Sequence, residues 1–171
     1  MSADSPQAVD VWRQVSARRV LEGEWPLASF PRLTGLLAGD EGLVRYRIEF
    51  GRDALQVPFA RVDVDAGLPL TCQRSLQVFV QPVQIEQSLG LIRDEDEEAG
   101  LPPGYEPLLV PEDGRIDPKA LVEDELILAV PVVPMAPGSE AVERDWPVSA
   151  EEAEEANPFA ALSALKRDRQ N

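Results

Sequence analysis

LVRYRIEF, residues 43–50, alternates without a break: Val44, Tyr46, Ile48 and Phe50 fall on one side of an extended chain, Arg45, Arg47 and Glu49 on the other. Period-two alternation marks a strand with one buried and one wet face, so this octapeptide commits the chain to a sheet. The GDEG turn precedes it, and three later stretches repeat the signal. In ALQVPFARVDVDAG (54–67), Val62 and Val64 point inward while Arg61 and Asp63 point outward. Pro58 there marks a strand start or an edge, because it cannot donate to a ladder. LPLTCQR (68–74) and LQVFVQPVQIEQ (76–87) read as a third and a fourth strand. Connections this short join antiparallel neighbours, since parallel crossovers need a dozen or more residues. The expected fold is α+β: an antiparallel β-meander with flanking helices on one side, a long acidic loop and a tethered C-terminal helix.

On the N-terminal side, residues 1–41 carry short helical signals, chiefly FPRLTGLLAG closing on Gly39, and DVWRQVSARRVLEGEWPL is mixed and peppered with Arg13, Arg18 and Arg19. On the C-terminal side the core is expected to run over residues 42–135. It includes an acidic, proline-rich loop at 93–104, then YEPLLV in an extended form. Asp117-Pro118 supplies an N-cap followed by proline at the first helical position, where its missing N–H costs nothing, which predicts a helix over 117–129. Residues 136–156 form an acidic linker, and NPFAALSALKRDRQN (157–171) begins a second helix at Asn157-Pro158. Within it Phe159, Leu162 and Leu165 recur at three-residue steps as one apolar stripe. The segment is short for an isolated helix in water, so it is expected to fold when docked, and a partner's groove is the preferred dock.

Composition narrows the chemistry. The 171 residues hold one cysteine, no histidine and a formal net charge of −15. Lack of histidine removes the commonest metal ligand and the commonest general base at neutral pH. Phosphate-binding glycine loops and the nucleophile elbow are missing as well. The chain is expected to be no enzyme, to need no cofactor and to take no small-molecule substrate. No apolar run reaches the ~20 residues of a membrane helix, and the start lacks the basic-then-apolar order of a secretion signal, which predicts a cytoplasmic protein away from membranes. The charge is also uneven: residues 1–84 hold 9 Lys or Arg and 10 Asp or Glu, whereas residues 85–171 hold 7 and 21. An excess of carboxylates disfavours nonspecific nucleic-acid binding, which needs cations to release phosphate counterions.

Three sets of residues are candidates for contact with partners. Glu123, Asp124 and Glu125 are rotated by about 100° each on a helix, so they suit no single chelated ion. They read first as helix-dipole carboxylates beside a buried stripe of Val122, Leu126, Ala129 and Val130, and second as a surface for a basic partner. Phe159, Leu162 and Leu165 form the C-terminal candidate. Arg45 and Arg47, with Arg61 on a neighbouring strand, make a candidate RNA contact on the wet face of the sheet. Cys72 alternates with Leu68 and Leu70 and reads as core filling, with Arg74 as the one conceivable influence on its acidity.

TCQRS (71–75), YEPLLV (105–110), GRIDPKALVEDELILAVPVVP (114–134) and NPFAALSALKR (157–167), in this order, resemble the YceD family of large ribosomal RNA subunit accumulation proteins. The resemblance spans about residues 68–171 and is strongest over Gly114–Pro134. It implies a non-enzymatic role in large-subunit ribosome biogenesis, through the synthesis, processing or accumulation of 23S ribosomal RNA. The preferred partner is a basic ribosomal protein or assembly factor of the large-subunit precursor, and the alternative is the precursor RNA itself. A third reading, an enzyme acting on RNA, has no spacing to support it. Some relatives carry a second cysteine three positions after the first, with His and Cys beyond Pro-Val-Val-Pro, a possible zinc set. Here Ser75 stands at the second position and no histidine is present, so no metal is expected.

Overall fold

The computed structural model describes residues 8–139. Ten elements follow one another: β1 (Val9–Asp10), α1 (Val11–Ala17), β2 (Val20–Pro26), α2 (Pro31–Thr34), β3 (Leu43–Arg52), β4 (Pro58–Thr71), β5 (Val78–Ile92), β6 (Glu106–Leu109), β7 (Arg115–Ile116) and α3 (Pro118–Ala129). Five strands form one sheet in the order β2-β3-β4-β5-β6, and β1 pairs with β7 in a separate two-stranded ladder. The expected α+β class and the antiparallel meander are present, since β2 through β5 are antiparallel neighbours.

The alternation read in LVRYRIEF is the burial pattern of β3: Val44, Ile48 and Phe50 are buried and Arg45 and Arg47 exposed. In β4 the same parity buries Ala60, Val62, Val64, Ala66, Leu68 and Leu70. The third and fourth expected strands correspond differently. ALQVPFARVDVDAG and LPLTCQR are one strand, because Gly67 and Pro69 stay in register with Pro82 and Val80 of β5 instead of turning the chain. Gly67 is required there, as a Cβ would come within 2.9 Å of Val80 Cγ1. A strand also lies inside the N-terminal segment, where short helices were expected. In β2 only Trp25 is buried, and Glu22, Gly23 and Glu24 give the edge strand no apolar period.

The acidic stretch after β5 contains a 3-10 turn, Glu95–Gly100, whose N-cap Asp94 accepts from the Asp96 N–H. Its length has a topological cause. β6 pairs with β5 in parallel, Leu89 opposite Glu106 through Ile92 opposite Leu109, and a parallel neighbour requires a crossover of about a dozen residues or more. Residues 93–105 are that crossover. Leu101 packs over Gly90, where a Cβ would meet Leu101 Cδ2 at 2.5 Å, and Tyr105 donates from its hydroxyl to Asp53 Oδ2 at 3.2 Å. Beyond β6, no described strand pairs with the outer edge of β5 from Val78 to Ser88.

α3 begins as its sequence predicts: Asp117 caps it by accepting from the Lys119 N–H at 2.9 Å, and Pro118 takes the first position. Leu121, Val122 and Leu126 are buried, with Ala129 and Val130 partly so. The helix stops before Pro131, and Val132 and Val133 form an exposed bend. Trp25 stacks on Tyr46 with centroids 3.7 Å apart and meets Phe30 edge-on. Leu126 is wholly buried and Leu128, two residues on, is exposed. Leu126→Ala is therefore expected to cost about 2–5 kcal/mol and Leu128→Ala less than about 0.5 kcal/mol, measured by urea denaturation.

Candidate functional site

The three consecutive acids of α3 have three fates. Glu123 is buried and turned into the molecule: its Oε1 accepts from the backbone N–H groups of Arg32 at 2.8 Å and Leu33 at 3.2 Å, and its Oε2 accepts from Arg32 Nε at 2.9 Å. α2 has no side-chain cap of its own, since Phe30 occupies the N-cap position. Pro31 lacks an N–H, so the two donors that follow it would be orphaned without this carboxylate. Glu123 caps α2 from another helix. Asp124 accepts from Arg32 Nη1 at 2.6 Å on the exposed side, and Arg32 Nη2 reaches the Ala120 carbonyl at 3.3 Å. The two carboxylates, Asp124 more than Glu123, raise the guanidinium's hold on its proton. Glu123 is thereby removed from the accessible surface proposed for it. The basic group it meets is Arg32, 91 residues earlier in the same chain. A long forked side chain spans the 100° between neighbouring helical carboxylates, which rotation alone would keep apart. Glu125 is half-buried and without a described cation. Burial first, then the charges of Glu106 and Asp124, hold it above the ordinary carboxylate range.

The arginines of the sheet share a face with carboxylates. Arg45 Nε lies 2.9 Å from Glu24 Oε1 and its Nη1 3.8 Å from Asp65 Oδ1, while Arg47 reaches Glu22 at 3.3 Å and Glu49 at 3.4 Å. Register dictates this: Arg45 stands between Glu24 and Asp65, and Arg47 between Glu22 and Asp63. Arg61 is opposite Glu49 and leans over the Phe59 ring at 5.7 Å. The structure thus brings the three arginines together, but with Glu22, Glu24, Glu49, Asp63, Asp65 and Glu86 around them. The signal that was missing is β2, whose acids cannot be placed until that strand is recognised.

Cys72 is buried, yet its surroundings are polar. Its Sγ accepts from the backbone N–H of Ala136 at 3.4 Å and of Ser75 at 3.5 Å, and its S–H donates to Ser139 Oγ at 3.6 Å. These contacts, the Ala136 N–H foremost, bring the thiol down from its ordinary 9.0 to about 6. Arg74, named from sequence as its one influence, donates to the Ser139 carbonyl instead. Cys72 is buried on the same face as Leu68 and Leu70, as its alternation predicts, and its sulfur also anchors the 134–139 segment to the β4–β5 hairpin. One sulfur among hydroxyls and amides is not a zinc donor set. Phe159, Leu162 and Leu165 lie outside the described residues.

Two predictions follow from these contacts. Glu123→Ala leaves two backbone donors of α2 without an acceptor and is expected to cost about 2–3 kcal/mol, whereas Asp124→Ala, an exposed pair, is expected to cost less than about 1 kcal/mol; thermal unfolding of both variants checks the order. Cys72 contributes stability as a thiolate, because its folded pKa lies below its unfolded value. That contribution is complete above pH 9.0 and is lost as the pH falls through about 6. The ultraviolet absorbance of the thiolate should titrate with a midpoint close to the folded value, and Cys72→Ser should remove both that signal and the rise in stability.

The family described as large ribosomal RNA subunit accumulation protein YceD has a model that matches residues 60–166. A relative from Haemophilus influenzae (strain ATCC 51907 / DSM 11121 / KW20 / Rd), described as large ribosomal RNA subunit accumulation protein YceD, is 30% identical over 167 residues, which cover 95% of this chain and 96% of the relative. No solved structure matches. A family model that fits most of the chain, and a relative this similar along nearly all of it, show that the chain belongs to the YceD family.

Proposed function

We propose that this chain supports the accumulation of large-subunit ribosomal RNA as a cytoplasmic, non-enzymatic factor that binds a basic ribosomal protein or assembly factor. The observation that carries this reading is the wet face of the sheet, where Arg45, Arg47 and Arg61 are interleaved with a larger number of carboxylates. A face whose cations are already held by its own acids repels a phosphate backbone and attracts a cationic protein. Glu125 adds to it. Crowded by Glu106 and Asp124, it is a carboxylate whose ionised form an incoming Lys or Arg would relieve. The apolar stripe Phe159, Leu162 and Leu165 is the second element proposed for the partner, and the family match extends through it.

The test is capture of large-subunit precursor proteins by the tagged full chain at low salt. Asp63→Asn, Asp65→Asn and Glu86→Gln, combined with Glu125→Gln, should lower capture of basic proteins at least about tenfold, the effect of about 1.4 kcal/mol, with the melting temperature held or raised. Removal of residues 156–171 should weaken capture further. Undiminished capture by the quadruple variant would refute the acidic surface as the docking element.

A further inference from the structure

We infer that the cleft between α1 and the β1–β7 ladder is a binding site for the phosphodiester backbone of RNA, a surface separate from the acidic sheet face. The cleft encloses about 590 Å³ and is lined by Val9, Asp10, Arg13, Gln14, Ala17, Arg19 and Arg115. The assignment to RNA rests on the chain's proposed place in large-subunit ribosomal RNA accumulation; the cleft itself rests on geometry and charge.

The first observation is a contrast between arginines. Residues 8–139 contain 12 Arg or Lys and 22 Asp or Glu, so carboxylates are in excess. Arg32, Arg45 and Arg47 each hold two carboxylates within 4 Å. Among the described residues the other nine cations, Arg52, Arg61, Arg74, Arg93 and Lys119 included, hold none; what sets Arg13, Arg19 and Arg115, with Arg18 beside them, apart is that they are exposed and gathered about one cleft. Cations gathered in one concave place, in a protein able to neutralise them, leave a local positive field for an external anion.

Backbone geometry brings the group together. α1 ends at Arg18, which adopts the left-handed conformation at φ 49° and ψ 49° while its N–H bonds the Val15 carbonyl. Glycine is the residue that this helix-ending position favours, because a Cβ is strained there. Here an arginine occupies it. The turn reverses the chain so that Arg19, whose N–H bonds the Gln14 carbonyl, returns alongside α1. Arg115 is placed opposite Asp10 by the β1–β7 register, and its Nη2 donates to the Ala8 carbonyl at 2.8 Å. One of its five donors is therefore used and the fork is held in place. The carboxylate in the cleft, Asp10, caps α1 by accepting from the Arg13 N–H at 3.0 Å. Asp113, beside Arg115, accepts from that residue's backbone N–H at 3.0 Å. Neither is bonded to a guanidinium.

Guanidinium forks pair with phosphate oxygens two at a time. Concavity disfavours a flat membrane surface, and a further cavity lined by Trp12 holds two more cations, Arg93 with its guanidinium 4.4 Å over the Trp12 ring and Arg52, together with one carboxylate, Glu97. The Trp12 ring sits against Gly114, at φ 69°, where a Cβ would come within 3.1 Å of the indole.

The experiment is fluorescence anisotropy of the purified full chain with transcripts tiling a 23S ribosomal RNA precursor. Arg13→Ala/Arg19→Ala/Arg115→Ala should weaken binding at least about tenfold and flatten the dependence of log affinity on log salt by roughly 2 for single-stranded contacts. Because Arg115 also braces β1, the charge reversal Arg13→Glu/Arg19→Glu, at positions with no described side-chain partner, should show the loss in a chain that melts as the parent. Arg45→Ala/Arg47→Ala should bind RNA at least as well as the parent. Parental affinity in both cleft variants would overturn the assignment, as would equal or tighter binding to vesicles of anionic lipid. Capture of basic proteins, scored on the same cleft variants, should be unchanged, so loss of one activity is read apart from loss of the other.

Discussion

The Glu123 carboxylate is the joint on which the described structure closes. Its oxygens complete the first turn of α2, and that turn sets Phe30 and Leu33 into the core beside Trp25 and Leu126. A four-residue helix has no stability of its own, so its position is a consequence of the cap and not a prior fact. The burial of Glu123 is tolerable because each oxygen has donors, and Arg32 spreads its charge to Asp124 at the surface. Residues 30–34 and α3 are thus joined directly to each other and share one core with the buried face of the sheet.

Physical range explains what could be read from the sequence. β3 and the register-compatible half of β4 were legible because alternation is local, and α3 was legible because Asp117 and Pro118 state its start within two residues. β2 was hidden, since an edge strand with Glu22, Gly23 and Glu24 buries too little to show a period. β6 was legible as the extended YEPLLV, but its parallel pairing with β5 depended on a crossover that looked like an unstructured acidic loop. Glu123 illustrates the harder limit: three adjacent acids look equivalent until the partner from residue 32 is known. The polar contacts of Cys72, though not its burial, were hidden for a similar reason, as the amides around its sulfur come from Ser75 and from residues beyond Pro134.

Charge is segregated more finely than the net value of −15 suggests. The sheet face mixes both signs in a cross-strand ladder, the Asp94–Glu98 turn is acidic, and the cleft beside α1 gathers arginines. At physiological ionic strength fields fade over about 8 Å, so each surface presents its own sign to whatever approaches it. An acidic chain with a basic cleft is suited to stand between a cationic protein and an anionic polymer, the two materials of which a ribosomal subunit is made.

The unpaired stretch of β5 bears on how copies of this chain coexist. Cys72 and Gln77 share a hydrogen bond at the hairpin, and alternation along the ladder puts Gly67 and Pro82 on a pair that exchanges none. Pro82 therefore turns its donorless nitrogen outward, and Gln84 and Glu86 follow it along the same edge. A second β5 laid against this one would meet a missing donor and a repelling carboxylate, the devices by which soluble sheets resist stacking into fibres. At high concentration such edges would keep copies of the chain separate from one another.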